Sequence, residues 1–386
     1  MFGTLVVACL LSQNQATLAG KLEIPGNSSD LSGLSRRLND GSPANLLGGL
    51  GSALSSGSKA GEYYLLPDRG PGDGAADYPC RWHQALLSLS PAGIPQFSLK
   101  KTTLLQDADG RGYQGLSADL KNRLDPEGLR VGPWPGCDAK RRSRIGEAFY
   151  VAEEYQPGVS VFQQDGTLAF QLPTPEKFLV TQPNRDADTE LAQNKSGRQP
   201  NKGFEGLAID PEGHELWAAT QGPLIQDKKA GGGKWCRLVR YNLDSGKVDG
   251  EFIYPLDSPT CGISEILWVG PGRLLVLERD SFAGREAKFK RIYLAKLGRA
   301  QDVSPLTSLY MVREPLQIMG KKLVVDLLEP RLGLAGDRLP PKWEGMAWGD
   351  VQQGDPLLWL ISDNDFMAKN NTWVLALKIP AVMLRD

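Results

Sequence analysis

The chain has 386 residues, of which 41% are hydrophobic and 23% charged, with a formal net charge of −1. That length supports a large core in one or two domains, and the charge balance excludes a general nucleic-acid binder, which would carry a basic surface. No apolar run is long enough to cross a bilayer as a helix.

The amino terminus, Met1-Phe2-Gly3-Thr4-Leu5-Val6-Val7-Ala8-Cys9-Leu10-Leu11, runs on to the small residues Ala16, Ala19 and Gly20. It reads as the end of a secretion signal without its positively charged start. Val6-Val7-Ala8-Cys9 also fits a bacterial lipidation box, although the apolar run before Cys9 is short. Residues 1–20 are therefore expected as a leader and 21–386 as one domain. The expected compartment is extracytoplasmic, periplasmic or secreted, with lipid anchoring at Cys9 as a variant. In that setting Cys80, Cys137, Cys236 and Cys261 suggest two disulfides. Cys236–Cys261 and Cys80–Cys137 close the shortest loops, and free buried thiols are the alternative.

Residues 20–26 read as one short strand. A unit then recurs five times: an acid-glycine-hydrophobic start, a turn, an apolar strand and a polar cluster. Leu31-Ser32-Gly33-Leu34 precedes Tyr63–Gly70, and Pro126-Glu127-Gly128-Leu129 precedes Ala148–Tyr155. Gly203-Phe204-Glu205-Gly206-Leu207 precedes Glu215–Gln221, Ile263-Ser264-Glu265-Ile266 precedes Leu274–Asp280, and Trp343-Glu344-Gly345-Met346 precedes Leu357–Asp365. In the third copy Leu207 and Ile209 alternate with Ala208 and Asp210, the period of a half-buried strand, and Asp210-Pro211-Glu212-Gly213 is turn chemistry. Repeats of about 40–50 residues with four strands each signify a β-propeller. The fold class is thus all-β: a single propeller of five blades, or six if a degenerate blade hides in an insertion. The last repeat lacks a fourth strand after Pro380, so the N-terminal strand is expected to close the ring. The Gly/Ser/Ala-rich stretch 39–61 reads as a mobile loop inserted in the first repeat, and 180–203 as a long loop over one face. The basic stretch from Trp134 to Arg144 reads as solvated loop, with phosphate attraction as the lesser alternative.

In a propeller the starts of the innermost strands and the ends of the second strands meet at one mouth of the channel. That places Glu127, Glu205, Glu265 and Glu344 in a ring, with Ser32 in the fifth place. Beside them come Asp68 and Arg69, Glu153 and Glu154, Gln221, Glu278, Arg279 and Asp280, and Asp363, Asn364 and Asp365. Carboxylates so close repel one another in a partly buried site and need compensation. An oxygen-only set of this kind suits Ca²⁺. The candidate metal ligands are Asp68, Glu127, Glu153, Glu205, Glu265, Glu278, Glu344, Asp363 and Asp365. With only His83 and His214 in the chain, a histidine-based transition-metal site is not expected. Alternatively the ring glutamates are staples between blades, accepting backbone N–H bonds or pairing with arginines.

The same residues carry a resemblance. Gly203–Gly213 with Ala218–Leu224 is similar to the core of the "esterase-like activity of phytase" family of exported bacterial proteins. Asp125–Leu129 with Val151–Tyr155, Leu275–Asp280, and Trp343–Met346 with Ser362–Asp365 match its other blocks in order, across roughly 28–380. Glu153-Glu154-Tyr155 stands where the family usually has Asp-Glu-Tyr. The resemblance implies hydrolysis of phosphoesters or carboxylesters. No Gly-x-Ser-x-Gly elbow is present, so metal-activated water is the expected mechanism, with Glu154 or Glu205 as base and Arg69 and Arg279 clamping oxygens. A monomer acting on a small phosphoester or ester is expected. The alternatives are a non-catalytic ligand-binding propeller with a structural cation, or a carboxylesterase.

Overall fold

The computed structural model describes residues 15–116, 119–136 and 146–385. Cys9, Cys137 and the basic run 138–144 lie outside them. Strand β1 (Thr17–Ile24) comes first. Blade 1 is β2 (Ala53–Ser56), β3 (Glu62–Leu66), β4 (Arg81–Leu89) and β5 (Pro95–Leu104). Blade 2 is β6 (Pro126–Gly132), β7 (Ala148–Glu153), β8 (Gly158–Phe162) and β9 (Leu168–Leu172). Blade 3 is β10 (Phe204–Ile209), β11 (Glu215–Thr220), β12 (Trp235–Asn242) and β13 (Lys247–Pro255). Blade 4 is β14 (Gly262–Gly270), β15 (Arg273–Arg279), β16 (Lys290–Lys296) and β17 (Gly320–Asp326). Blade 5 is β18 (Lys342–Gln352), β19 (Asp355–Asp363) and β20 (Thr372–Lys378), and β1 pairs with β20 as its outermost strand. The two ends of the chain therefore share one sheet, so the ring has no open edge at its seam.

Two expectations need correcting. Ser32 does not start an inner strand: it sits in a loop, where its backbone N–H and hydroxyl both bond Asp30 Oδ1. The inner strand of blade 1 comes instead from the stretch expected to be a mobile insertion. Ala53 and Leu54 are fully buried there, and Leu46 to Leu50 pack against blade 5. The small residues serve close packing, not mobility. The long segment 180–203 also contains a seven-residue helix, Ala187–Gln193, capped by Asp186.

Apolar side chains fill the spaces between neighbouring blades. Trp82 stacks on Phe149 with ring centroids 4.4 Å apart between blades 1 and 2. Leu277, Ile292, Trp343 and Leu360 do the same between blades 4 and 5. The cysteines Cys80, Cys236 and Cys261 are buried and free, so the expected Cys236–Cys261 bridge is not formed.

Around the axis the inner strands converge, and glycines mark their closest approaches. A Cβ on Gly128 would lie 2.3 Å from the Glu205 carbonyl oxygen, and one on Gly206 would lie 2.5 Å from the Ile266 nitrogen. In four blades the pairing of first and second strands slips at this level: between Pro126 and Gly128, Phe204 and Leu207, Ile263 and Glu265, and Trp343 and Gly345. Such a bulge turns an extra residue out of the ladder. Deeper in the channel, Arg130 binds the carbonyls of Leu54 (2.9 Å), Leu129 (2.6 Å) and Ile266 (2.6 Å) and pairs with Glu265 at 2.9 Å. One guanidinium thus ties blades 1, 2 and 4 together.

Two stability tests follow from this geometry. Gly206→Ala should destabilise by roughly 1–3 kcal/mol or more, because backbone and not a movable side chain fills the space. Gly320→Ala, with nothing within 4 Å, should stay near neutral. Arg130→Met should cost about 3–5 kcal/mol in denaturant unfolding, because it strands a buried carboxylate. The Arg130→Met/Glu265→Gln double variant should recover part of that loss.

Candidate acidic site at the channel mouth

Strand parity decides which of the predicted acids reach the mouth. At the end of each second strand, Glu153, Thr220, Glu278 and Ser362 pair across to the inner strand. The next residues, Glu154, Gln221, Arg279 and Asp363, therefore face the other way, into the mouth. The odd-facing acids are used elsewhere. Glu153 accepts backbone N–H bonds from Asp125 (3.2 Å) and Gln156 (2.6 Å). Glu278 lies in the wall of blade 4, bonded to the Tyr254 hydroxyl at 2.5 Å, to Lys321 and to the Asp257 N–H. Asp280 is tied to Lys290 at 2.7 Å. Asn364 braces Gly49 and Phe366 through its side-chain oxygen.

Glu265 is likewise not part of the ring. Ser264 occupies the bulge position that Glu127 and Glu344 hold in their blades, and Glu265 takes the glycine's place. Its side chain turns inward, accepting from the Leu207 and Ile266 N–H groups and meeting Arg130. This is the staple role considered above, and it applies to Glu265, Glu153 and Glu278.

The mouth itself gathers eight carboxylates, Asp68, Asp125, Glu127, Glu154, Glu205, Glu344, Asp363 and Asp365, around three cations, Arg69, Arg279 and Lys342. Arg69 pairs with Asp125, donates to the Asn201 side-chain oxygen and lies 3.7 Å from Glu154. Arg279 pairs with Glu344. Lys342 binds Asp365 at 2.5 Å and stands 3.9 Å from Asp363. Sequence reasoning left Asp125, Lys342, Asn201 and Arg130 out of the site. Asp125 and Lys342 each sit two residues before a bulge acid, and the period-2 rule puts them on its face. Asn201 carries no such signal; its φ of 53° is visible only in the fold.

Among the described residues, two groups could hold a metal ion. In Asp125, Glu127 and Glu154, and in Asp68, Asp363 and Asp365, carboxylate oxygens all lie within 4.8 Å of one another. The first group has the stronger need. Among the described residues, Asp125 Oδ1 is buried without a hydrogen-bond donor, and both Glu154 oxygens are buried with only the neighbouring Glu205 carboxyl to share a proton with. Burial, then Asp125, pushes Glu154 up to about 8. Burial raises Glu127 and Glu205 well above the usual carboxylate range, with Glu205 repelling Glu127 and Glu154 repelling Glu205. Gln221 donates to Glu205 Oε1. The second group already has Lys342, although burial still raises Asp68 to about 7 and leaves Asp363 Oδ2 without a donor.

Residues 45–366 match the family described as phytase-like, esterase-like activity of phytase. An "uncharacterized secreted protein" of Arthroderma benhamiae is 27% identical over 314 residues, 63% of this chain and 61% of that protein. The chain thus spans under two thirds of this relative's length. Among solved structures, a GH43 β-1,3-galactosidase with bound galactodeoxynojirimycin matches 90% of this chain and 94% of its own at 9% identity and a TM-score of 0.44. The Dos1 propeller matches 87% and 69% at 7% identity and a TM-score of 0.36. Among the described residues no helix is long and apolar enough to cross a membrane.

The raised carboxylates fix the sign of a pH effect. Their folded-state values lie above the unfolded values of about 4, so their contribution is fully present below pH ~4 and is lost as pH rises through about 7 to 8. In chelator, the wild type should lose stability across that window relative to Glu154→Gln, whose difference in melting temperature from wild type should grow with pH. Glu153→Gln should melt lower at acidic pH, since it removes one of the two oxygens that accept backbone N–H bonds, and because burial also raises Glu153, that deficit should shrink as pH rises.

Proposed function

Since the chain belongs to the phytase-like family, we propose that it is an extracytoplasmic hydrolase of small phosphoesters working at the acidic mouth of its propeller. The observation that carries this reading is Glu154, a buried carboxylate whose one hydrogen-bonding neighbour among the described residues is another acid, Glu205, set among acids that outnumber their cations. Asp125, Glu127 and Glu154 offer an all-oxygen set that fits a hard cation, and Ca²⁺ is the proposed occupant. When bound, Ca²⁺ would offset phosphate charge and lower the pKa of a water.

The remaining roles belong to the chain's own side chains. Glu205 is oriented by Gln221 through Oε1 and adjoins Glu154, so its other oxygen takes the proton of the attacking water. Arg69 is held by Asp125 and Asn201, and Arg279 by Glu344. Each keeps a buried Nε–H without a partner, which leaves guanidinium donors to clamp phosphoryl oxygens. Lys342 pairs with Asp365 and offsets part of the Asp363 charge on the far side, whereas no lysine pairs with the Asp125, Glu127 and Glu154 group among the described residues. The apolar N-terminal run and the secreted relative support the compartment.

Turnover of 4-nitrophenyl phosphate, with 4-nitrophenyl acetate beside it, tests the activity with and without chelator. The expected result is phosphate hydrolysis that chelator abolishes, lowered about 10²–10⁴-fold in kcat by Glu205→Gln and unchanged by His214→Ala. Ca²⁺ at a hundredfold excess over its Kd should stabilise the fold by about 2.7 kcal/mol. Stabilisation without turnover of either ester would leave a binding propeller with a structural cation. A melting curve indifferent to both Ca²⁺ and chelator would falsify the metal site.

A further inference from the structure

Next to the mouth, above blade 2, lies a cleft of about 600 Å³. Arg69 and Asn201 line it and also touch the acidic group, so the two spaces adjoin. The cleft's charge is opposite. Lys121, Arg123 and Arg185 project into it, and Arg185 lies close enough to Arg123 for the two charges to oppose each other. Arg123 is also drawn to Asp119 and Glu153. Glu190 is taken by Arg198, Glu153 by two backbone N–H groups, and Asp73 stands in solvent 3.6 Å from Arg69. Lys121 and Arg185 form no ion pair among the described residues. Between the cations and the mouth the wall is apolar: Leu116, Leu124 and the ring of Tyr155, which Arg123 covers at 5.9 Å and Arg69 at 5.7 Å.

Converging cations in a concave, half-apolar space recognise an oxyanion on an apolar body. We propose that this cleft binds the phosphate or carboxylate group of a ligand whose apolar part rests on Leu116, Leu124 and Tyr155. If the hydrolase reading holds, that ligand is the substrate, and the cleft selects esters with a second anionic group beyond the one attacked at the mouth. The site itself does not depend on catalysis. Arg185 and Lys121 are specificity residues under this proposal, since they reach the ligand's far end and not the reacting atoms.

The test is a calorimetric titration of the full chain in chelator, so that no metal contributes. The probes are phenylphosphonate, inorganic phosphate and benzoate. The expected outcome is that phenylphosphonate binds at one site, at least tenfold tighter than inorganic phosphate. Arg185→Gln and Lys121→Gln, both on exposed side chains, should each weaken it several-fold, and the double variant at least tenfold, while His214→Ala, exposed on another blade, leaves it unchanged. Benzoate binding at the same site would assign the natural group as a carboxylate, and its absence as a phosphate; either supports the oxyanion site. Absence of binding by all three probes overturns the proposal, as does full-strength binding by the double variant. Equal affinity for phosphate and phenylphosphonate removes the apolar half of it. Because binding is read without metal, this result can fail while Ca²⁺-dependent turnover stands, and the reverse.

Discussion

Five strands cannot meet at one axis without their backbones touching, and this crowding shapes everything at the centre of the molecule. Glycine is the only residue that fits where Gly128 meets the Glu205 carbonyl, Gly206 meets β14 and Gly345 meets β2. The same crowding accompanies the one-residue slip in four of the five inner pairings. The slip expels a residue toward the mouth, and in blades 2 and 5 that residue is an acid, Glu127 or Glu344. Packing and charge at the centre thus share one cause.

The consequence is a fold that carries its own electrostatic tension. Below the mouth the tension is resolved: Arg130 meets Glu265 and three carbonyls. At the mouth it is not. Three cations cannot neutralise eight carboxylates, so the excess must be carried as protons or by a cation from solution. The distribution matters more than the total. Lys342 and Arg279 serve the side of blades 4 and 5, while Asp125, Glu127 and Glu154 share Arg69. A cationic cleft a few side chains away, with Arg69 on the boundary, gives the same face two opposite preferences.

The difference between adjacent acids was illegible in the sequence. Glu153-Glu154 and Glu278-Arg279 look like interchangeable polar clusters, yet one member of each braces a blade and the other faces the mouth. Parity can be assigned only once the pairing register is known, and the register is set by the bulge. Glu265 shows the same problem from the other side. It stands one residue before its hydrophobic anchor Ile266, whereas Glu127, Glu205 and Glu344 stand two before theirs, and that single step moves its carboxylate from the mouth into the channel. The spacing was present in the chain; its meaning came from the geometry.

The sequence alone determined the repeat, the all-β propeller of five or six blades, the closure by the N-terminal strand and the family, and the structure fixed the number of blades at five. These follow from local periodicity, turn residues and recurring motifs, which are written in short stretches of chain. It also named most of the acids that meet at the mouth, because their positions repeat. Only the tertiary structure decided that the first inner strand is Ala53–Ser56, that Ser32 lies outside the ring, and that Glu153, Glu265 and Glu278 are engaged in holding blades. Only it brought in Arg130, Lys342 and Asn201, whose partners lie in other blades or distant loops. The physical reason is the same in each case: which way a side chain faces, and what waits there, depends on how blades pack around a shared axis, and no single repeat contains that information.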